Sequence, residues 1–92
     1  MDNKKIRLQI KRELRFIYNS LDVLDAYNPY RTPEHDRDRI AGTQSRCYML
    51  VDFCEALDAD GIITHDLYMD TWSKCTELLQ ELTKRKNALL SA

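Results

Sequence analysis

Between Ile63 and Leu90 the apolar positions keep to one helical face: Tyr68, Cys75, Leu82 and Leu89 recur every seven residues, with Trp72 and Leu79 between them. At 3.6 residues per turn this spacing draws a single stripe along about seven turns. The start of that helix is marked too. Thr64 is placed to cap it by accepting a first-turn amide, Asp66 puts a carboxylate where the helix dipole favours one, and Ile63 and Tyr68 occupy the staple positions.

Two earlier segments supply helices of matching length. From Asp2 or Asn3 to Tyr27, the residues Ile6, Ile10, Leu14, Ile17, Leu21 and Leu24 step by four and three, which is core spacing, and Asn28-Pro29 ends the run because a residue before proline avoids the α region. A second line on this helix, Phe16, Val23 and Tyr27, predicts contact with a second neighbour. Thr32-Pro33-Glu34 then reads as N-cap, first-turn proline and first-turn acid, so the second helix is predicted from Pro33 to about Ala59. Gly61 suits the left-handed position after its end, with Ile62 reaching back to Leu57. The main stripe of this helix is Ile40, Cys47, Leu50, Val51, Cys54 and Leu57. Met49 and Phe53 widen its apolar arc past half the circumference, whereas its first two turns, Glu34 to Arg39, are charged throughout.

Short connections between long helices predict an all-α fold: three long helices in an up-down-up antiparallel bundle forming one domain over residues 1–92. Only two glycines and two prolines in the chain agree, since a β-sandwich or barrel needs many turns. In that topology Leu14 or Ile17, Cys47 and Cys75 share a core layer. The basic start of the first helix comes beside the acids Asp52, Glu55, Asp58, Asp60, Asp66 and Asp70, while Asp22 and Asp25 approach Lys84, Arg85 and Lys86 at the other end.

Charge narrows the function classes. A net charge of −1 with 32% charged residues sets up no global field for nucleic acid or an anionic membrane. Charges interrupt residues 1–16 every two or three positions, unlike a signal peptide or membrane span, and three cysteines without paired spacing suit a reducing compartment, so a soluble cytoplasmic protein is expected. Lys4, Arg7, Lys11 and Arg15 form a basic stripe on the first helix that would grip phosphate backbones in a nucleic-acid-binding regulator. The simpler reading makes it a solvated face partnered by the chain's own acids.

Other chemistry is thinly represented. A calcium loop aligned on Gly61 puts Ala56 and Leu67 at the two ligand positions that need acids. His35 and His65 begin different helices at opposite ends of the bundle, so they cannot share a metal, and the three cysteines fall on core stripes. No catalytic set or phosphate loop is visible, and neither an enzyme nor a cofactor is expected.

The expected function is that of a small non-enzymatic interaction module: an adaptor, inhibitor or accessory regulator of the kind phages and other mobile elements encode. It would act on another protein or on itself as a homodimer, without a membrane. Leu24, Tyr27, Leu89 and Leu90 keep offering apolar surface where the second helix begins with charge, so either the outer helices close on each other there or a groove stays open. Met49 and Phe53 form a second apolar patch, and the two patches are the expected interface. The alternative is the nucleic-acid regulator using the basic face of the first helix.

Overall fold

The computed structural model describes residues 3–91. It contains three helices, α1 (Asn3–Asp25), α2 (Pro33–Ala59) and α3 (His65–Ser91), and no strand among the described residues. They pack into a slender up-down-up bundle with extents of 46 × 20 × 15 Å. Of the two expected starting points for α1, Asp2 lies outside the described residues.

The ends of α2 form as the local sequence dictates. Thr32 is extended, with φ −94° and ψ 157°, and its Oγ1 accepts the His35 amide at 3.2 Å. At the other end Gly61 takes φ 71°, its amide donates to the Asp58 carbonyl at 3.0 Å, and Ile62 N–H donates to the Leu57 carbonyl at 2.8 Å. This is a Schellman stop, in which glycine enters the left-handed region without a Cβ penalty. Thr64 caps α3 by accepting the Leu67 amide at 3.1 Å.

α1 ends at Asp25, two residues before the expected Tyr27. The reason lies in the connection that follows. Arg31 folds back and donates to the carbonyls of Val23 and Leu24, the latter at 2.8 Å, while its Nε lies 2.6 Å from Asp36 in the first turn of α2. One guanidinium thus serves the negative end of α1 and an acid at the positive end of α2. The Asn28 side chain accepts the Tyr30 amide at 3.0 Å, which turns the chain out of the helix and leaves Tyr27 fully in solvent.

The core follows the bundle axis. α1 contributes Ile10, Leu14 and Ile17; α2 contributes Ile40, Cys47, Leu50 and Cys54; α3 contributes Cys75, Leu78 and Leu82, with Ile63 closing one end. Buried Ser20, Thr43 and Thr71 each donate to the carbonyl one turn back, at 3.1, 2.7 and 2.9 Å, so no hydroxyl is left unpaired. The expected neighbours Cys47 and Cys75 do come together between α2 and α3, close enough for each thiol to shift the other's titration, and all three cysteines are free.

Two expectations about the core are corrected. Trp72 is 44% exposed, and the inward face of α3 includes Thr71 and Leu78 instead. Leu67 and Thr71 line a cleft shared with α1, and Leu78, eleven residues on from Leu67, returns to the same face, whereas Trp72 lies on a flank that stays largely in solvent. Phe16 and Val23 likewise remain exposed rather than meeting a second neighbour, because that neighbour, α3, lies on the opposite flank of α1, beside Lys4, Arg7 and Lys11.

Candidate interaction surface

Residues seven apart return to nearly the same side of a helix, so Phe16 and Val23 share one flank of α1, and Arg46 and Phe53 share one flank of α2. The antiparallel packing turns these flanks toward each other. Instead of closing, they leave a groove along the face of the bundle remote from α3. Its lower part, of about 460 Å³, is bounded by Gln9 and Glu13 on α1 and by Gly42, Met49, Leu50 and Phe53 on α2. Its upper part, of about 660 Å³, runs past Phe16, Val23, Tyr30, His35 and Arg39.

Arg46 separates the two parts. Its guanidinium lies 4.0 Å from the centre of the Phe16 ring and reaches Glu13 Oε2 at 3.3 Å. Stacking on an aromatic face and pairing with a carboxylate both favour the cation, but each partner is exposed, so the contact holds the side chain only loosely. Gly42, which lines both parts, has nothing within 4 Å of where a Cβ would stand. The groove is therefore a shallow channel with one movable cationic crossbar.

Around it the apolar surface is large for so small a chain: Phe16 is 47% exposed, Met49 69% and Phe53 42%. Met49 and Phe53 were expected to form one patch, and the structure places both on the groove. The other expected residues separate. Leu24 and Leu89 are partly buried against the core and face each other with Asp36, Ile40 and Ala88, while Arg85 of α3 binds the Asp25 carboxylate. That ion pair ties the outer helices together at this end, and a small pocket of about 230 Å³ lies between them and the start of α2. Tyr27 and Leu90 stand in solvent and do not line that pocket.

The basic stripe divides as well. Lys4, Arg7 and Lys11 line a cleft between α1 and the start of α3, whereas Arg15 lies beyond it. Of the acids expected beside the stripe, Asp58 is bound by His65 at 2.8 Å and Asp70 by Lys74 at 2.9 Å, and among the described residues Arg7, Lys11 and Arg15 make no ion pair. At the opposite end the expected pairing does form, since the hydrogen bond from Arg85 holds the Asp25 carboxyl below its ordinary range.

The thiols titrate as core groups. Burial, and secondarily the proximity of Cys75, pushes the Cys54 thiol up to about 11. The proximity of Cys47 and Cys75 to each other lowers Cys47 and raises Cys75, burial adding to the rise of Cys75. With no accessible sulfur, the three form no nucleophilic site. Among the described residues no group of three His, Cys, Asp or Glu side chains could hold a metal ion, and no helix is long and apolar enough to cross a membrane.

The Glu13–Arg46–Phe16 contact and the groove it spans were not anticipated from the sequence. A signal was present in the paired seven-residue steps Phe16–Val23 and Arg46–Phe53, which an antiparallel α1–α2 pair must bring to one side. Comparison of the chain with known protein families, curated proteins and solved structures finds no match.

Proposed function

We propose that this protein is a non-enzymatic helical interaction module whose α1–α2 face docks another protein chain. The observation that carries the reading is the exposure of Met49 and Phe53 in one part of the groove and of Phe16 in the other, with Arg46 between them. Scattered apolar residues on a surface need no explanation, but a cluster of an aromatic pair and a methionine beside a guanidinium has the composition of an interface centre. Methionine and a loosely held arginine also let such a surface adjust to what it covers.

The simplest occupant is a second copy, because a two-fold contact buries the same patch on both chains at once. Met49→Glu with Phe53→Glu places two carboxylates on exposed positions, so the helices should survive while the docking face is lost. Light scattering on parent and variant, with circular dichroism to confirm the fold, tests this. The parent is expected at twice the chain mass of 10.9 kDa and the variant at that mass. Equal masses for two folded proteins would rule out a second copy as the occupant of this face.

A further inference from the structure

A second face carries a different chemistry. At the end of the bundle where α3 begins, α1 and α3 stand apart and leave a cleft of about 660 Å³. Leu8, Ile10 and Leu14 of α1 and Leu67 and Thr71 of α3 form its floor, and Leu8 is 48% exposed. The rim is cationic, with Lys5, Arg7 and Lys11 on one side and Lys74 on the other. Among the described residues the one acid lining it, Asp70, is already engaged by Lys74. Lys5, Arg7 and Lys11 have no ion-pair partner among the described residues, so their charge is directed outward.

We propose that this cleft binds an acidic amphipathic helix of a partner protein, apolar side chains on the floor and carboxylates against Arg7, Lys11 and Lys5. The site goes beyond the α1–α2 groove and does not depend on it. From Lys4 to Leu14 the α1 wall is about 15 Å long, which matches about three turns of a docked helix. Its apolar residues would recur at i, i+3 or i+4, and i+7, the pattern by which a helix lies in a groove.

The rival anionic partners fit less well. Single-stranded nucleic acid binds by stacking bases on aromatic side chains, and among the described residues no Phe, Tyr or Trp lines the cleft. A duplex is read by side chains that project from a convex element into a groove, whereas this surface is itself concave. A flat anionic bilayer would reach the rim cations and the half-exposed Leu8 but not Leu14 and Leu67 between the helices.

The probe is a fluorescein-labelled peptide of fourteen residues, helical by design, with a leucine stripe flanked by glutamates. Anisotropy is read against the full-length protein, beside a glutamine-for-glutamate version, a scrambled version, single- and double-stranded 20-mer DNA, and phosphatidylglycerol–phosphatidylcholine vesicles. The expected dissociation constant for the acidic helix is about 100 μM or tighter at low salt, weakening roughly tenfold in 0.5 M salt as the rim charges are screened. The glutamine peptide should bind about tenfold more weakly. Arg7→Glu with Lys11→Glu should abolish binding without altering the circular dichroism melt, Leu8→Gln should weaken it, and Met49→Glu with Phe53→Glu should leave it unchanged. On the unmodified protein, amide NMR shifts should concentrate at Leu8, Leu67 and Thr71. Absent binding, equal binding of the scrambled peptide, tighter binding of DNA or vesicles, or shifts centred on Phe53 would each overturn the proposal.

Discussion

Leu78→Ala is the substitution that discriminates most sharply between two orientations of α3. A seven-residue reading puts Trp72 and Leu79 inward and leaves Leu78 aside, but in the folded chain Leu78 is 3% exposed. Truncation to alanine removes three carbons from a dry site, about 2.4 kcal/mol of transfer free energy at ~0.8 kcal/mol for each. A residual cavity adds to this, since neighbours held by three packed helices relax only in part, so the total should be ~2.5 to 4 kcal/mol. A domain of this size has on the order of 5 to 14 kcal/mol in all. Urea titration followed at 222 nm should show the loss as a lowered midpoint with unchanged slope, and the thermal midpoint should drop by roughly 10 to 30 °C. Leu90→Ala, at a position largely in solvent, is the control and should stay within about 0.5 kcal/mol of the parent. If Leu78→Ala melts like the parent, or Leu90→Ala costs as much, α3 is not oriented as described and the derivation of its inward face fails.

Three further outcomes follow from local geometry. Gly61→Ala meets no steric neighbour but forces a Cβ into the left-handed region, so it should cost ~1 to 2 kcal/mol in denaturant melts, and a neutral result would mean that α2 does not end in the Schellman turn. Cys54 has a folded-state value raised above that of the unfolded thiol; its contribution is therefore complete below the ordinary value near 9 and is lost as pH rises toward about 11, a loss of ~2 to 3 kcal/mol. Urea melts at pH 8 and pH 11 should show the parent losing more stability than Cys54→Ala, and equal losses would contradict the burial argument. Asp25 is shifted the other way by Arg85, so the stability it contributes is present above its unfolded value and disappears as pH falls through the lowered one. NMR titration of its carboxyl should show a rise on Arg85→Gln, and an unmoved titration would deny the pairing.

How much of this was legible in the sequence differs by level. Helix ends were readable where a single residue type carries the physics: Thr32 and Thr64 as caps, Pro33 in a first turn, Gly61 as a left-handed stop. The α1 stripe was readable because its isoleucines and leucines have no other place to go. What failed was the choice of flank. Trp72, Phe16 and Val23 are apolar enough to be core, and only the side on which the third helix settles decides that they are not. The end of α1 depended on Arg31 reaching its last carbonyls, a contact with no periodic signature. The groove was half legible, since Met49 and Phe53 stood out as surplus apolar surface, but their partner Phe16 and the crossing Arg46 appear only once α1 and α2 are paired. Charge was the least legible: Asp58 and Asp70 bind His65 and Lys74 on or beside their own helices, a local competition that left Arg7 and Lys11 without partners.

The most direct test of the account is the native mass spectrum of the chain purified from its own cells, with and without Met49→Glu and Phe53→Glu. The parent should carry a second chain in fixed stoichiometry, at twice 10.9 kDa if that chain is a copy, and the substituted protein should appear as the folded 10.9 kDa monomer. A parent that is monomeric and alone, or a substituted protein that keeps the same companion, would contradict the claim that the α1–α2 face is where this protein meets its partner.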